Sequence, residues 1–318
     1  MTETQKKSSQ KEKWLKIEAF ASAEVGDALS NFLTELGAQG VFQEESVPPT
    51  LDDLPEKSFP GPIKAYLPFD IRLDKRMASL RTYTASLNEI FSELPEIVLT
   101  TEEINDPDWG ESWKKYFKPI RVSRNVVIKP TWERFTPSGR DIVIEIDPGM
   151  AFGTGQHAST RMCLAAMEDL LLRDRSFSRW RLLDVGTGTG ILGIAGAKLG
   201  AERVVCADID KKAVEIAREN SEINEVSDRV EIVNRDVLNI RDSFELIVAN
   251  LTSKILFKLR SHFLTLLQRN GYLVISGIID QDCSDIEAHF LAPPFSLHNR
   301  ISEKEWHCYV LKKGENGR

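Results

Sequence analysis

A glycine-rich turn, and an acid further along the chain, are the residues whose spacing most clearly indicates chemistry. Residues 182–190, LLDVGTGTG, read as a short buried strand followed by Gly186, Gly188 and Gly190, and the next segment reads as a helix. Such a corner binds nucleotides, because the glycines let a ligand approach the backbone and the N-terminus of the helix faces it. Asp208 ends the next predicted strand, 22 residues after Gly186, where a doubly wound fold places a carboxylate on ribose hydroxyls.

The register of the glycines separates two classes of nucleotide-binding protein. A dehydrogenase carries GxGxxG directly after the strand, and here Ile191 stands where the third glycine belongs. A GxGxxG does occur at 188, 190 and 193, but it starts two residues inside the turn. Asp184, two residues before the first glycine, is typical of S-adenosylmethionine-dependent methyltransferases. The register therefore favours a methyltransferase over a dehydrogenase.

Three further polar residues follow predicted strands or precede helices. Asp210 is expected mainly to cap the helix that begins after it. Asp236 follows the strand RVEIVN and either accepts a hydrogen bond from an adenine amino group or is a solvated loop acid. Asn250 ends the strand 246–250, the fourth of the sheet, which in this superfamily faces the reacting methyl group. Its amide oxygen can accept from an incoming amine, although a turn asparagine after a strand is also common.

Five sequence blocks occur in an order and spacing that resemble one bacterial family. They are DPGMAFGTGQHAST (147–160), LLDVGTGTGILGIAGAKLGA (182–201), ADID (207–210), VANL (248–251) and GYLVISGI (271–278). Together they resemble the blocks of the methyltransferases that modify ribosomal protein L11 of the large subunit. The first block is far more specific than a glycine turn.

The resemblance implies an activity, a cofactor and a partner. It implies methyl transfer from S-adenosyl-L-methionine to lysine side-chain and N-terminal amines of L11, up to the trimethyl form. Within the block 147–160, Phe152 can pack on the adenosyl moiety and the Thr160 hydroxyl can reach the cofactor. The alternative is a glycine-rich connector in which Thr160 only begins a helix. His157 orients the amine, relays a proton or has a structural role in the loop. Asn250 is expected to contact the cofactor as well as the amine.

The chain departs from the family pattern at two places. His-Ala-Ser-Thr (157–160) stands where the family usually has His-Pro-Thr-Thr, and Asn-Leu-Thr (250–252) stands where it usually has Asn-Ile-Leu. Loss of the proline loosens the loop, and Thr252 puts a hydroxyl near the methyl site. Neither change removes a residue that we assign to the cofactor or to catalysis.

The layout indicates an α/β protein of two domains. We expect a disordered tail over residues 1–13, a ferredoxin-like α+β substrate-recognition domain over 14–105 with the order βαββαβ, and a linker helix over 106–119. Residues 120–318 are expected to form a seven-stranded, Rossmann-like class I methyltransferase domain. Within the first domain, Pro68 predicts that its strand lies at an edge of the sheet.

Charge is divided unevenly along the chain. Residues 1–119 carry 14 Lys and Arg against 21 Asp and Glu, so they hold the whole net charge of −7. An acidic surface attracts basic partners and repels phosphate backbones. This suits a basic ribosomal protein and disfavours nucleic acid as the direct substrate, although acidic surfaces are also common on soluble proteins.

Composition limits the compartment and the cofactors. No apolar run reaches the ~18 residues of a membrane span, and the first 13 residues lack the apolar core of a secretory signal. The four cysteines lie far apart without metal-ligand spacing, and Cys163 and Cys206 are expected to be small core residues. We therefore expect a cytoplasmic protein without a bound metal. A monomer is also expected, although nothing in the composition indicates the oligomeric state.

Three other functions are compatible with parts of the pattern. The first is methylation of amines of another protein. The second is methylation of an amino group of a nucleic acid. Enzymes of that second class typically have Asn/Asp-Pro-Pro-aromatic after strand four. A non-enzymatic cofactor-sensing or assembly module is the third, and intact Asp208 and Asn250 argue against it. Transfer of labelled methyl groups to purified ribosomal proteins would separate these functions.

Overall fold

The structure is a computed structural model, and it divides the chain into two compact units. One unit comprises residues 1–117 with 148–150, and the other comprises 118–147 with 151–318. The residues that the structure describes are 13–43, 61–104, 114, 117–147, 153, 155, 157–173 and 179–314. Residues 1–12 of the predicted tail and most of the predicted linker helix lie outside the described residues.

The first unit is a four-stranded antiparallel sheet with two helices on one face. Its elements are β1 (Trp14–Phe20), α1 (Ala23–Glu35), β2 (Gln39–Gln43), β3 (Ile63–Pro68), α2 (Leu73–Ile90) and β4 (Val98–Ile104). The strand order β2-β3-β1-β4 with this connectivity is the predicted ferredoxin-like arrangement. Alternate residues of β1, among them Ile17 and Ala19, are fully buried in a core with Leu29 and Leu33 of α1.

The predicted edge position of β3 is wrong. β3 pairs with β1 on one side and with β2 on the other, so it lies inside the sheet. Pro68 is tolerated because it is the last residue of the strand. On the β2 side the pairing reaches only to Tyr66, opposite Gln39. The missing N–H of the proline therefore interrupts no ladder between β2 and β3.

The second unit is built on a seven-stranded sheet. Its strands are β8 (Arg181–Val185), β9 (Arg203–Asp208), β10 (Val230–Asn234), β11 (Phe244–Asn250), β12 (Leu267–Ile279), β13 (Phe295–Glu303) and β14 (Trp306–Lys313). Their order is β10-β9-β8-β11-β12-β14-β13, and β14 runs antiparallel to both of its neighbours. The predicted seven-stranded, doubly wound domain is confirmed.

Helices cover both faces of this sheet. They are α3 (Ala158–Glu168), α4 (Ile191–Lys198), α5 (Lys211–Ile223), α6 (Ser253–Leu266) and α7 (Cys283–Phe290), with a π-helical turn (Asp169–Arg173) continuing α3 and 3₁₀ turns at Val237–Asn239 and Asp280–Asp282. The first three pack on one face and the last two on the other. A Cβ at Gly193 of α4 would lie 2.1 Å from the Cys206 sulfur, so only glycine lets α4 lie this close to β9.

A small third sheet was not predicted. It consists of β5 (Ile120–Arg121), β6 (Val126–Lys129) and β7 (Ile142–Glu145), in the order β5-β6-β7. Val126, Ile128 and Ile144 bury their side chains in the core that also contains α3 and α4. Within the described part of the chain, no helix combines the length and apolar character needed to cross a membrane.

Candidate active site at the carboxyl edge of the large sheet

The glycine turn after β8 is held from within by Asp184. This carboxylate is 1% exposed, and its Oδ2 accepts hydrogen bonds from the Thr187 hydroxyl (2.6 Å) and the Gly193 N–H (3.0 Å). Its Oδ1 is buried and meets no hydrogen-bond donor among the described residues. Burial raises the pKa of Asp184 to about 7, against the opposing effect of the two donors. The turn therefore contains a carboxyl group whose charge is only partly compensated by the protein.

Asp208 joins the second strand of the site to this turn. Its Oδ2 accepts from the Gly188 N–H at 3.0 Å, and its Oδ1 accepts from the Asp210 N–H at 2.9 Å. A carboxylate offers about four lone-pair positions, so both oxygens keep capacity for a further donor. Asp210 caps α5 by accepting from the Lys212 N–H at 2.9 Å, as predicted.

Asp236 has a local role in the structure. It is exposed, and its Oδ1 accepts from the Leu238 N–H at 2.9 Å, which caps the 3₁₀ turn after β10. The end of β10 is instead joined to β9 by Asn234, whose amide donates to the backbone carbonyls of Asp208 (3.1 Å) and Ile209 (3.0 Å). A contact of Asp236 with an adenine amino group stays a prediction.

Sequence reasoning missed an apolar surface beside these acids. Ile209 is 78% exposed directly after Asp208, and Leu238 is 47% exposed two residues after Asp236. Exposed aliphatic side chains beside polar groups provide a flat apolar contact for a ring system. An apolar residue one or two positions after each acid was the signal available in the sequence.

The segment 153–160 reaches the glycine turn through a second interaction that was missed. The Thr189 hydroxyl donates to the carbonyl of Gly153 at 2.6 Å, and a Cβ at Gly153 would lie 2.7 Å from that same hydroxyl oxygen. Gly153 has a φ of +109°, which also favours glycine. Thr189 therefore connects the two sequence blocks. Phe152 lies outside the described residues.

His157 caps the N-terminus of α3. Its Nδ1 accepts from the Ser159 N–H at 3.2 Å and lies 2.6 Å from the Ser159 hydroxyl, and its ring packs edge-on against Trp306 with centroids 4.7 Å apart. Because the Nδ1 lone pair is used in the cap, the neutral ring carries its proton on Nε2. The structure therefore places His157 at the start of the helix that carries Thr160, with its Nδ1 engaged in the cap.

Asn250 ends β11 and is hydrogen-bonded to α3. Its Nδ2 donates to the Thr160 hydroxyl oxygen at 3.3 Å, and Thr160 is 1% exposed. The residue after Asn250 packs against the glycine turn, since a Cβ at Gly186 would be 2.6 Å from Cδ2 of Leu251. The structure thus brings the predicted residues Thr160, Gly186 and Asn250 to one edge of the sheet.

Gly277 of β12 packs against two oxygens at the end of β11. A Cβ built at Gly277 of β12 would lie 2.6 Å from the Leu251 carbonyl oxygen and 3.2 Å from Asn250 Oδ1. Gly277 lies at an irregularity of the β12–β14 pairing with a φ of +83°. The Leu251 carbonyl was not predicted as part of the site, because backbone acceptors leave no trace in residue types. Thr252 is exposed and precedes α6 without a side-chain capping bond.

This fold and site define a class of protein. A seven-stranded sheet with an antiparallel seventh strand, a glycine turn after the first strand and an acid at the end of the second is the architecture of class I S-adenosylmethionine-dependent methyltransferases. The family model "Ribosomal protein L11 methyltransferase (PrmA)" matches residues 13–314. The chain therefore belongs to the ribosomal protein L11 methyltransferase family.

Similar proteins support this assignment. The chain is 35% identical over 314 residues to the ribosomal protein L11 methyltransferase of Heliobacterium modesticaldum, covering 95% of this chain and 98% of that one. It is 36% identical over 309 residues to that of Geotalea daltonii, covering 94% and 97%. A solved ribosomal protein L11 methylase from Lactobacillus delbrueckii subsp. bulgaricus matches 63% of this chain and all of its own, with 29% identity and a TM-score of 0.56.

Proposed function

We propose that this protein transfers methyl groups from S-adenosyl-L-methionine to lysine side-chain and N-terminal amines of ribosomal protein L11, up to the trimethyl form. The observation that carries the proposal is the pair of oxygens at the end of β11. Asn250 Oδ1 and the Leu251 carbonyl oxygen both lie beside the Gly277 backbone, at the edge of the sheet that carries the glycine turn. Two neighbouring acceptors can take the two N–H bonds of a neutral primary amine.

The residues present fit the cofactor. Asp208 offers a carboxylate to ribose hydroxyls, and Gly186 to Gly190 form a turn with positive φ at each glycine, open to a close ligand. Ile209 offers an apolar contact for the adenine ring. The unpaired, buried Oδ1 of Asp184 makes the turn favourable for a cationic ligand. When bound, S-adenosylmethionine supplies an activated methyl group on a sulfonium, which leaves as a thioether.

Alignment is the main task left to the protein. An amine lone pair must point at the methyl carbon, and a group held by two acceptors has its lone pair fixed in direction. The hydrogen bond from Asn250 Nδ2 to the Thr160 hydroxyl fixes the orientation of the amide. Oδ1 is therefore the atom that is left to accept from the amine. The hydroxyl of Thr160 is buried at this position, so we assign it to holding the amide and to the cofactor side of the site.

A general base is not required for this reaction. The amine has to be neutral, and for a lysine with a pKa near 10.4 this costs about 4 kcal/mol near pH 7.5. An α-amine with a pKa near 7.7 loses its proton at almost no cost. A sulfonium beside the amine further disfavours the ammonium form. His157 is therefore assigned to orienting groups at the site and not to proton transfer, while its Nδ1 caps α3.

The partner is a basic protein that the first domain selects. Residues 1–119 hold the entire net charge of −7, and the described part of that region includes exposed acids such as Glu102 and Glu103 on β4. We propose that residues 14–105 recognise L11 by charge and shape without contributing to the chemistry. The enzyme acts as a monomer, and its substrate is the L11 protein and not nucleic acid. It works in the cytoplasm, where ribosomes are assembled.

The proposal is tested by offering the purified protein four acceptors with tritiated S-adenosylmethionine. These are L11, the remaining large-subunit proteins without L11, an unrelated basic protein such as a histone, and ribosomal RNA. Label in L11 alone supports the proposal. Label mainly in another protein or in RNA points to the corresponding alternative activity, and binding of the cofactor without any transfer indicates a non-enzymatic module.

A further inference from the structure

The turn between β13 and β14 contacts the beginning of α3 from two sides. The Glu303 carboxylate pairs with the Arg161 guanidinium through Oε1 and Nη2, and through Oε2 and Nε at 3.4 Å. Three residues further on, the Trp306 ring packs against the edge of the His157 ring, with an interplanar angle of 79°. A single turn thus holds residues at both ends of the first turn of α3.

These two contacts flank the residue that holds Asn250. Thr160 lies between His157 and Arg161 in the first turn of α3, and its hydroxyl oxygen accepts from Asn250 Nδ2 at 3.3 Å. A hydrogen bond of this length is already long, so a shift of α3 by about 0.5 Å would break it. The position of the first turn of α3 therefore decides whether the Asn250 amide is held.

We infer that the turn Glu303–Trp306 is a positioning element of the methyl-transfer site, which acts through the first turn of α3 on the orientation of Asn250. The inference rests on the proposed function, because it assigns these residues to the alignment of the amine. Among the described residues, Glu303 is bonded to Arg161 and Trp306 packs on His157, so we assign them to positioning and not to catalysis.

The turn is itself well anchored on the sheet. The Glu305 carbonyl accepts from the Asp280 N–H at 3.1 Å, and the Trp306 indole N–H donates to Glu305 Oε1 at 3.2 Å. Lys304 has a φ of +55°, which closes the turn tightly. A rigid support of this kind can transmit its position to α3, which a mobile loop cannot do.

A purely structural role would have different consequences. The body of α3 is held by the fully buried Cys163, Leu164 and Met167, while the Arg161 and Glu303 side chains remain 25% and 37% exposed. Ion pairs this exposed contribute little to stability. Removal of the Glu303 charge is therefore expected to change the rate of methyl transfer much more than the melting temperature.

The test compares Glu303→Gln with Glu287→Gln in the full-length protein. Glu287 is the matched control, because it pairs with Arg300 of β13 at 2.8 Å from α7, on the other side of the same hairpin. We expect Glu303→Gln to lower the single-turnover rate on L11 by about tenfold, with both substrates saturating. Glu287→Gln should keep the rate, and Trp306→Phe, which retains a ring edge contact, should keep most of it. In an Asn250→Ala background, Glu303→Gln should have no further effect.

A spectroscopic measurement decides the inference independently of activity. The side-chain amide signals of Asn250, assigned with the Asn250→Ala variant in ¹⁵N–¹H spectra, should shift or broaden in Glu303→Gln and stay unchanged in Glu287→Gln. Unchanged signals together with a wild-type rate in Glu303→Gln would overturn the inference. It would also be overturned if the rate loss of the double variant Asn250→Ala with Glu303→Gln equalled the product of the two single losses. If the wild-type protein transfers no methyl group to L11, the proposed function fails, and the amide signals still show whether the turn positions Asn250.

Discussion

The side-chain amide of Asn250 donates to the hydroxyl oxygen of Thr160 across 3.3 Å, although 90 residues separate them in the chain. This bond fixes which way the amide points. With Nδ2 directed at α3, Oδ1 is left on the side of Gly277, which also packs against the Leu251 carbonyl. The acceptor that the proposed reaction needs is thus oriented before any amine arrives.

Replacement of Asn250 by alanine should impair the chemical step more than binding. We expect a rate loss on the order of tenfold to a thousandfold, as for loss of one positioned polar contact in a transition state, with a smaller change in cofactor affinity. The loss should be largest for the first transfer, since a primary amine has two N–H bonds to donate and the dimethylated, tertiary amine has none. The double change with Thr252→Ala should be worse than either alone. Single-turnover methylation followed by intact mass measures each step, and a wild-type rate would move the orienting role to His157.

Alanine at Gly277 should damage the site without removing any of its polar groups. The new Cβ would lie 2.6 Å from the Leu251 carbonyl oxygen, and the φ of +83° is unfavourable for alanine. We expect at least a tenfold lower rate. Gly139→Ala is the control, since Gly139 also has a positive φ but no atom within 4 Å of the added Cβ. Equal rates for the two variants would show that the oxygens beside Gly277 do not matter.

Asp208→Ala should weaken cofactor binding by roughly 1–3 kcal/mol, because ribose hydrogen bonds are lost and the Gly188 N–H loses its acceptor. Asp210→Ala is the matched control. It removes the cap of α5, which costs about 1 kcal/mol of stability, but leaves the Asp208 carboxylate in place. Titration calorimetry on both folded variants separates the effects. Unchanged affinity in Asp208→Ala would refute the ribose assignment.

Asp184 should make the stability of the cofactor-free protein depend on pH. Its pKa is about 7 in the folded state against 3.8 for an ordinary aspartate, so between these values the folded protein binds a proton that the unfolded chain has lost. Its contribution to the free energy of unfolding therefore falls as pH rises from about 4 to about 7, by up to roughly 4 kcal/mol, and is constant above. Asp184→Asn does not titrate, so its melting temperature should rise relative to wild type across this window. Parallel curves would contradict the raised pKa.

Removal of the first domain should separate binding from substrate selection. A protein of residues 106–318 should still bind S-adenosylmethionine, because all the cofactor-binding side chains assigned above lie within it. It should lose most of its activity on L11, together with the acidic surplus of the first domain. Calorimetry and the tritium assay measure the two properties on the same preparation. Full activity of the truncated protein on L11 would show that residues 14–105 have another role.

The convergence of Gly186, Asp208 and Asn250 could be predicted because it follows from topology. The carboxyl ends of parallel strands meet at one edge of a sheet, so residues placed there in sequence are placed together in space. The cap at Asp210 could be predicted for a similar reason, since it depends only on its own helix.

The remaining parts of the site depend on contacts that have no local signal. The bond from Thr189 to Gly153 and the ion pair of Arg161 with Glu303 join residues 36 and 142 positions apart, and nothing in residue types indicates that they meet. The strands β5 to β7 have only two to four residues, too few for a periodic pattern. Pro68 suggested an edge because the sequence does not show where the neighbouring strand stops.

The central claim is that this protein places successive methyl groups on amines of L11, and intact-mass analysis of L11 tests it most directly. Purified L11 lacking methylation is incubated with S-adenosylmethionine and either the wild-type protein or Asn250→Ala, and samples are taken over time. The account predicts that the wild-type protein adds mass to L11 in steps of one methyl group, that peptide mapping locates them on lysine or N-terminal nitrogens, and that Asn250→Ala delays the first step most. An L11 mass that stays constant with the folded, cofactor-binding wild-type protein would contradict it.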